Sequence, residues 1–386
     1  MDESKKRILF ISHSDIAIDS RILKQISLSE FIGFEPLALG VKDLSRGSSN
    51  PQVNIQSIDL YFRISASSHN SKLRFFFLSF FRYVLMSSEV FFRFIPRAIR
   101  FNPQIIHCSD YLFLPLAVLI KLFTGSKLIY DAHELESQTN SISKLQSTYV
   151  LLLEKLLWPF IDFTFYVSEK IKDWYETNVG EKKSEVILNS PVLPVKVGNS
   201  NYFRSYFQTP KEMKIFIYLG MLSRGRGINL AIDVFKELEN SAAIIFMGHG
   251  EKEQEVKEFS ETSSNIFMHP PVPHEKVVEI TSSADFGYCM LENASLSDFF
   301  CLPNKLFEYA FSGLPVLASN FPDISKVVKQ YNLGVVANSD KESIQMGISQ
   351  LISESGYSFL DEDITPLSWQ HQCEKLKRVF TELQEG

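Results

Sequence analysis

Residues 302–318 constrain the fold more than any other stretch of the chain, because they specify a helix, its end and a buried strand in immediate succession. Pro303 suits the first position of a helix, where its missing N–H costs nothing. Gly313 suits the position at which a helix stops, and Pro315 prevents the helix from resuming. The apolar residues 316–318 then predict a short buried strand of a parallel sheet.

Three polar side chains of this helix, Lys305, Glu308 and Ser312, recur at helical spacing and share one face of an otherwise apolar helix. A helix N-terminus beside a lysine attracts an anion, and a carboxylate one turn further along can accept hydrogen bonds from two hydroxyl groups. A diphosphate followed by a ribose fits this arrangement, so the segment predicts a nucleotide site. A solvated helix face explains the same spacing, and both interpretations remain open on geometry alone.

The sequence PNKLFEYAFSGLPVLAS resembles the donor site of the retaining glycosyltransferases of family 4 (GT4), of the type that makes bacterial surface polysaccharides. The usual form of their motif is P-x-K-x-x-E-x-x-x-x-G-x-P-V. The resemblance implies that Glu308 holds the ribose of a nucleotide sugar, and that the helix start at Pro303 and Asn304, with Lys305, faces the diphosphate. It also implies the GT-B fold, an α/β architecture in which two Rossmann-like domains with doubly wound parallel sheets face a central cleft.

Short apolar runs alternate with helical patterns along the chain, which is typical of parallel α/β sheets. A chain of 386 residues suits two domains, each able to bury a core. We predict an N-terminal Rossmann-like acceptor-binding domain at residues 1–195 and a C-terminal nucleotide-sugar-binding domain at 205–365. The amphipathic helix within 366–386 is expected to cross back to the first domain. Residues 192–212 have little periodicity and are predicted as the linker.

Composition excludes several functional classes. A net charge of −6 argues against a nucleic-acid binder. No uncharged apolar run reaches about 18 residues and no signal peptide is recognisable, so we expect a cytoplasmic protein without a membrane span.

An acidic triplet at 361–363 matches the D-x-D metal motif of another glycosyltransferase fold, but we interpret it as solvated charge and predict neither metal nor cofactor. The cysteines lack the spacing of a zinc site or a disulfide framework: Cys108, Cys289, Cys301 and Cys373.

Loops that follow strands of the predicted first domain carry polar candidates for the acceptor side, because ligands bind at that edge of open α/β sheets. Residues 19–21, Asp-Ser-Arg, resemble the D-x-R of some GT4 members. Either Asp19 and Arg21 contact acceptor or phosphate, or Asp19 or Ser20 caps the next helix and Arg21 pairs with it. Asp110 follows a further predicted strand, at 104–108, and is the third candidate.

The sequence Asp131-Ala132-His133-Glu134 follows the predicted strand 127–130 and resembles the D-x-H-E of the family. A lone histidine at the end of a strand is more often structural. The family resemblance implies instead that His133 lies near the donor sugar. Asp131 and Glu134 then become acceptor-side candidates.

The predicted second domain begins with a strand at 214–219 and a turn that resembles the family form G-R-L-x-x-x-K-G, whose two cations contact the donor diphosphate. Gly220 matches, Arg226 occupies the lysine position and Met221 replaces the arginine. Either Arg224 supplies the second charge, or diphosphate binding is weaker than usual.

Two further positions bear on the same donor site. Gly248 lies in a turn that matches the family form I-x-G-x-G and is predicted to border the donor. Phe300 stands eight residues before Glu308, where the common E-x7-E pattern has its first glutamate. The contacts to the sugar are therefore left open.

Residues 61–101 contain ten Phe, seven Lys or Arg and a single acid, Glu89, in a chain that is negative overall. Basic and aromatic residues on helices indicate contact with an anionic membrane surface. The alternative is that most of these Phe belong to the core of one or two helices. We expect a mixture, with core residues first and an interfacial fringe.

Together these features predict a retaining hexosyltransferase that moves a sugar from a nucleotide sugar to a glycan or polyprenyl-linked acceptor in cell-surface polysaccharide synthesis, at the inner face of the membrane. Arg226, Lys305 and His133 are the expected catalytic residues, with no metal. One alternative is a GT-B-fold nucleotide-sugar 2-epimerase. Another is a catalytically weak paralogue that binds a membrane or a partner, an interpretation kept open by Met221 and Phe300.

Overall fold

The computed structural model describes residues 6–43, 54–61, 72–140, 142–193, 201–239, 241–354, 357 and 361–385; the side chains of 72–84, 87, 274, 275, 361 and 362 are outside that description. The first half of the chain contains, in order, β1 (Lys6–Ile11), α1 (Ser20–Phe31), β2 (Phe34–Val41), β3 (Ile55–Ile58), α2 (Lys72–Phe101), β4 (Ile105–Cys108), α3 (Leu114–Thr124), β5 (Lys127–Ala132), α4 (Lys144–Leu157), β6 (Phe163–Tyr166), α5 (Glu169–Asn178) and β7 (Ser184–Val186).

The second half repeats the alternation of strand and helix. Its elements are α6 (Tyr202–Phe207), β8 (Lys214–Leu219), α7 (Ile228–Phe235), β9 (Ala242–Met247), α8 (Glu253–Thr262), β10 (Ile266–His269), α9 (His274–Thr281), β11 (Phe286–Cys289), α10 (Leu296–Phe299), α11 (Asn304–Phe311), β12 (Val316–Ser319), α12 (Pro322–Gln330), β13 (Gly334–Ala337), α13 (Lys341–Ser353), α14 (Asp361–Ile364) and α15 (Trp369–Glu385).

The strands form two parallel sheets. The first has the order β3-β2-β1-β4-β5-β6-β7 and the second the order β10-β9-β8-β11-β12-β13. Strand order reverses between β1 and β4 in the first sheet and between β8 and β11 in the second. Crevices at such reversals, outside the carboxyl ends of the strands, are where open α/β sheets bind ligands. The prediction of two Rossmann-like, doubly wound sheets is confirmed.

Each sheet is covered on both faces, which is why its strands are continuous apolar runs. All six residues of β9 are buried, for example. One face of the first sheet packs on α2, α3 and α5, with Phe94 and Phe113 in edge-to-face contact at 5.3 Å. The other face packs on α1 and on α15.

The last helix, α15, returns to the first sheet. Its Trp369 and Phe380 lie in the same apolar cluster as Ile8 and Phe10 of β1. The backbone N–H of Trp369 donates to the carbonyl of Pro191 at 3.0 Å, so the entry of this helix is fixed to the segment that leaves the first sheet.

Three local predictions differ from the structure. The helix α6 lies inside the predicted linker, because Phe203 is fully buried and Phe207 stacks on Phe267 of β10 at 4.7 Å. Pro303 precedes α11 as its N-cap residue and is not its first helical residue. The strand β5 continues to Ala132 and therefore places Asp131 inside the sheet.

The segment 61–101 is dominated by one helix, α2, with Pro96 inside it. Residues 62–71 and the side chains of 72–84 lie outside the described residues, and so does that part of the predicted membrane contact. In the part of the chain that the structure describes, no helix is both long enough and apolar enough to span a membrane.

Candidate active site

A cleft of about 620 Å³ lies between the two sheets, where loops from the carboxyl ends of β5 and β8 face each other. It gathers most of the site residues predicted from sequence: Asp19, Arg21, His133, Glu134, Gly220, Arg226, Pro303, Asn304, Lys305 and Glu308. Four predicted residues are not part of its lining: Asp110, Asp131, Arg224 and Gly248.

Lys305 brings a buried positive charge to the start of α11. Its Nζ lies 3.6 Å from the centre of the Tyr218 ring, and the side chain is buried. Within the described part of the chain this ammonium has no hydrogen-bond partner. Because buried ammonium groups are normally hydrogen-bonded, the free donors and the helix N-terminus together favour an anionic ligand in the cleft.

Glu308 lies one turn further along α11 and is half-buried in the same cleft. Burial raises the pKa of its carboxyl group to about 7, although the positive charges of Lys305 and Lys24 act in the opposite direction. Ser312, the third member of the predicted polar stripe, does not join them. Its hydroxyl group donates to the carbonyl groups of Glu308 at 2.7 Å and Val278 at 3.1 Å, so it connects α11 to α9.

Arg226 enters the cleft from the turn after β8. Its Nη1 lies 4.0 Å from Oδ1 of Asp298, and the side chain is 37% exposed. The next residue, Gly227, has φ of +68°, and a Cβ there would lie 2.7 Å from the carbonyl oxygen of Met290. The sharp turn that presents Arg226 therefore requires glycine at that position.

Arg224 points away from the cleft. Its side chain is 85% exposed, its Nε lies 3.8 Å from the carboxylate of Glu251, and its backbone N–H donates to the same carboxylate at 2.9 Å. Arg224 is therefore not part of the cleft lining in this structure, and its contact with the diphosphate stays a prediction. The cations that line the donor side of the cleft are Arg226 and Lys305.

Two glycines allow the backbone on the donor side of the cleft to adopt its conformation. Gly220 lines the cleft with φ of +106°, a conformation that disfavours a side chain. Gly248 does not line the cleft, because it packs against the backbone of Gly220. A Cβ on Gly248 would lie only 1.8 Å from the Gly220 carbonyl oxygen, so its role is to let the two turns approach.

The loop before α11 contains an acidic residue, Asp298, that the sequence analysis did not predict as part of the site. Phe300 is partly buried against the first sheet's apolar cluster, and its carbonyl accepts a hydrogen bond from the Ser168 hydroxyl at 2.7 Å. Asp298, two residues earlier, lines the cleft instead. Its backbone N–H donates to Ser295 Oγ at 3.0 Å, and the Ser295 hydroxyl donates to its carboxylate at 2.7 Å. The S-x-x-D pattern of such a capped helix start was the available signal.

Arg21 and Asp131 form a buried, two-pronged ion pair. Nε and Nη2 of Arg21 donate to the two carboxylate oxygens at 3.0 and 2.8 Å, and Nη1 donates to the Ile187 carbonyl at 3.0 Å. Burial opposes ionisation of Asp131, but the charge of Arg21, the nearby imidazole of His107 and the hydrogen bonds from Arg21 together lower the pKa to about 2. Asp131 is therefore corrected from acceptor-side candidate to structural anchor. Asp19 caps α1 by accepting from the N–H groups of Arg21 and Ile22.

His133 and Glu134 lie on the opposite wall from α11. His133 is half-buried, and its Nδ1 lies 3.3 Å from the Asp131 carbonyl oxygen, which orients the ring. Glu134 is exposed at the same wall. Because Asp131 is held by its ion pair with Arg21, this ion pair also positions the loop that carries His133 and Glu134.

Asp110 is a second buried anchor beside the cleft. Its Oδ1 accepts from the Phe113 N–H at 3.1 Å, and its Oδ2 lies 2.9 Å from Nδ1 of His13. Burial alone would lower the pKa of His13, but the hydrogen bond and the charge of Asp110 raise it above its ordinary value. Asp110 is therefore corrected from an acceptor contact to a residue that fixes the first loop.

Among the described residues, three of the hydrogen bonds between the two halves of the chain lie beside the cleft. The Leu135 N–H donates to Ser297 Oγ at 3.2 Å, and the Lys170 N–H donates to the Asp323 carboxylate at 2.8 Å. The third is the Ser168 bond to Phe300 described above. These contacts fix the position of one wall of the cleft relative to the other.

Lys24 of α1 also lies near the donor wall. Its ammonium donates to the Ser190 carbonyl at 2.8 Å and to Asn189 Oδ1 at 3.2 Å, and it lies 4.6 Å from the centre of the Trp369 ring. Burial and the charge of Arg21 lower its pKa to about 8. Lys24 therefore connects α1, α15 and the segment between the sheets.

Among the described residues, no group of three or more His, Cys, Asp or Glu side chains has the arrangement of a metal site.

Two family models match the chain, one on each half. The model described as Glycosyltransferase Family 4 matches residues 59–190, and the model described as Glycosyl transferases group 1 matches residues 202–362.

The chain also resembles curated proteins of known activity. It is 23% identical over 279 residues to chitobiosyldiphosphodolichol beta-mannosyltransferase of Candida albicans, which covers 64% of this chain and 60% of that protein. The protein of the same name from Debaryomyces hansenii is 24% identical over 259 residues, or 58% of this chain and 53% of that protein. The chain thus spans between half and two thirds of the length of these relatives.

Solved structures with the same fold cover nearly the whole chain. Sucrose-phosphate synthase from Thermosynechococcus elongatus superposes with a TM-score of 0.74 at 15% identity, covering 98% of this chain and 99% of that one. Anabaena HepE in complex with UDP-glucose superposes with a TM-score of 0.73 at 12% identity, covering 97% and 99%. At these identities the likeness shows the fold alone.

Proposed function

Because the chain belongs to the GT4-type glycosyltransferases of GT-B fold, we propose that it transfers a sugar from a nucleotide-sugar donor to a glycan or lipid-linked glycan acceptor. The observation that carries the proposal is the arrangement on α11. The Lys305 ammonium, buried and unpaired in the described part of the chain, stands at the helix start, and Glu308 follows one turn later in the same cleft. A ligand that has an anionic group followed by a pair of hydroxyl groups matches this order, because the Lys305 ammonium attracts the anion and the Glu308 carboxylate accepts hydrogen bonds from the hydroxyl groups.

The donor diphosphate would lie between the start of α11 and Arg226. As the bond to the sugar breaks, negative charge develops on the leaving diphosphate. Lys305, Arg226 and the backbone N–H groups of α11 stabilise that charge, which is usually a large catalytic contribution. Glu308 accepts hydrogen bonds from the ribose. His133, on the opposite wall, contacts the sugar or its flank.

The family resemblance favours retention of configuration, with the acceptor proton passing to the departing phosphate. No general base is assigned in this scheme. The charges of Arg226 and Lys305 take the part that a metal ion has in other glycosyltransferases, so EDTA is expected to leave activity unchanged. A strict metal requirement would contradict this arrangement.

The acceptor is proposed from the curated relatives, whose names describe mannosyl transfer to a diphosphodolichol-linked chitobiose. By this analogy we propose a lipid-linked glycan acceptor for this chain, and from the family resemblance we propose a role in the synthesis of a cell-surface polysaccharide. The protein would then work at the inner face of a membrane, with the basic segment 61–101 supplying attraction to anionic lipid.

Incubation with a panel of nucleotide sugars tests the proposal. We expect slow hydrolysis of one donor in water and faster release of the nucleoside diphosphate when a polyprenyl-diphosphate glycan is added. Conversion of the donor to its C2 epimer without hydrolysis would favour the epimerase. Binding without turnover of any donor would favour a weak paralogue, for which Met221 on the cleft and Phe300 outside it are the specific observations.

A further inference from the structure

The outer face of α4 carries a stripe of exposed apolar side chains. Four large residues on it are more than half exposed: Leu145 (82%), Tyr149 (57%), Leu152 (60%) and Leu156 (70%). Their spacings of four, three and four residues place them on one side of the helix. Helices at a protein surface normally bury such a stripe against the core.

The core-facing side of α4 is already occupied by other residues. Val150 is buried, and the carboxylate of Glu154 accepts hydrogen bonds from the hydroxyl groups of Tyr130 at 2.8 Å and Tyr175 at 2.6 Å. The exposed stripe is therefore on the opposite side of α4, and rotating the helix to bury it would expose Val150 and Glu154. Packing of the fold does not explain it.

Neighbouring elements extend the apolar surface. The helix α3 packs against α4 and has Leu122 and Phe123 at its C-terminal end, which are 62 and 66% exposed. Phe160 follows α4 and is also exposed. Large exposed apolar side chains on two helices that pack together favour a contact with another molecule or with a membrane.

The charges on α4 indicate which contact it makes. Every residue of Lys144–Leu157 is described; its exposed charges are Lys144 and Lys155, and its one acid, Glu154, is buried. An apolar stripe with flanking lysines, in a chain of net charge −6, complements anionic lipid. A second copy of the same helix would bring lysines against lysines without any acid to pair them.

The position of α4 relative to the cleft fits that partner. Thr139 and Asn140 line the cleft and lie just before the helix. The Gln138 side chain donates to Ser147 Oγ of α4 at 3.3 Å, which ties the cleft loop to the helix. A helix held at the membrane surface would therefore keep the wall that carries His133 and Glu134 close to the lipid.

We propose that the α4 stripe (Leu145, Tyr149, Leu152 and Leu156) inserts into the interfacial layer of an anionic membrane and presents the cleft to a lipid-linked acceptor. The inference rests on the proposed function for the nature of that acceptor. The stripe supplies apolar insertion, and the exposed Lys144 and Lys155 of the same helix supply charge. Stable peripheral binding generally needs two such contributions.

Sedimentation of the full-length protein with vesicles of equimolar phosphatidylglycerol and phosphatidylcholine tests the surface. The triple variant Leu145→Ser/Leu152→Ser/Leu156→Ser should lose vesicle binding by about tenfold or more, because each buried leucine contributes substantially to partitioning. Its unfolding temperature should not fall, since the side chains it changes touch solvent. The matched control Phe31→Ser/Met346→Ser removes apolar side chains that are 86 and 66% exposed elsewhere, and it should bind like wild type.

A tryptophan probe gives direct evidence of insertion. Leu152→Trp should be quenched by brominated acyl chains, and Met346→Trp should not. Unchanged vesicle binding by the triple variant, or no quenching at position 152, would overturn the proposal. A wild-type dimer in light scattering that the triple variant converts to a monomer, without vesicle binding by either, would assign the stripe to a second copy.

Donor hydrolysis measured without vesicles separates this inference from the proposed function. The triple variant should hydrolyse the donor at the wild-type rate. If the wild type binds vesicles through α4 but hydrolyses no donor, the membrane contact of α4 is supported and the proposed function is contradicted. If donor hydrolysis is normal and vesicle binding is absent, the membrane contact of α4 is contradicted and the proposed function is supported.

Discussion

The Lys305 ammonium lies 3.6 Å from the centre of the Tyr218 ring, at the point where α11 begins and β8 ends. The aromatic face offsets part of the cost of burying the charge without using the ammonium's hydrogen-bond donors. In the described part of the chain those donors have no other partner. The cleft therefore holds a cation that is desolvated and fixed before any ligand arrives.

The first prediction follows from this arrangement. Lys305→Met should weaken binding of a nucleoside diphosphate by about tenfold or more, because a charged hydrogen bond contributes roughly 1.5–3 kcal/mol. Calorimetry measures the affinity. The matched control is Lys236→Met, which removes another lysine stacked on an aromatic ring, 3.9 Å from Phe259 and remote from the cleft. Equal affinity in the Lys305 variant and in this control would contradict the diphosphate assignment.

The second prediction concerns Glu308 and pH. Its pKa of about 7 means that the carboxyl group of the empty cleft is protonated below that pH. Ribose binding needs the ionised form as a double acceptor, so donor affinity should rise as pH increases through about 7 and then level off. A nucleotide sugar is the suitable ligand, since its diphosphate diester does not titrate in that range.

Glu308→Gln should remove this pH dependence while keeping part of the affinity, because the amide oxygen still accepts a hydrogen bond. Glu308→Ala should bind about tenfold more weakly at high pH. An unchanged pH profile in the glutamine variant would remove Glu308 from the ribose site.

The third prediction concerns the leaving group. Arg226→Ala should lower turnover more than it weakens donor binding, because the charge on the diphosphate grows in the transition state. Arg226→Lys should keep part of the activity. Arg224→Ala, only two residues away but outside the cleft, should behave like wild type. Equal losses in turnover and binding for Arg226→Ala would make Arg226 a uniform binding residue.

The fourth prediction concerns the Arg21–Asp131 pair. Asp131→Asn leaves a buried arginine without its charge partner and should reduce the free energy of unfolding by about 3–5 kcal/mol. The exposed pair of Lys170 and Asp173 supplies the control, and Asp173→Asn should change stability by less than about 1 kcal/mol. Denaturant titration measures both.

The same pair has a defined pH signature. Because the folded pKa of Asp131 is lowered to about 2, its contribution is fully present above the unfolded value near 3.8 and is lost as pH falls toward 2. Asp131→Asn should remove this part of the acid dependence. Wild-type and variant curves that stay parallel between pH 4 and 2 would contradict the assignment.

The fifth prediction concerns the basic segment. Arg74→Gln/Arg82→Gln should reduce binding to anionic vesicles, more so at low salt, and leave stability near wild type. Arg93 belongs to the fold: its guanidinium donates to Glu89 at 2.7 Å and to the Asp59 carbonyl at 2.6 Å. Arg93→Gln should therefore lower the unfolding temperature. Full vesicle binding by the double variant would place the basic contact elsewhere.

The sequence determined the elements and their order, because periodicity and turn chemistry are local. β8 has the predicted limits, and Gly313 lies just beyond the end of α11 with φ of +71°. The donor helix could likewise be predicted, since the cation at Lys305 and the carboxylate at Glu308 are one turn apart on a single element.

The tertiary structure decided which of the other polar residues reach the cleft. Arg224 and Arg226 are neighbours in sequence, yet one pairs with Glu251 in solvent and the other faces the donor wall. Asp131 was predicted to lie beside the ligand. It is buried instead, where it forms an ion pair with Arg21, a residue 110 positions away in the sequence. Such pairings depend on burial and on which strands lie side by side, neither of which a local pattern contains. The exposed stripe on α4 has the same origin, because a helix with apolar residues on several sides cannot specify from its own residues which side the rest of the protein will cover.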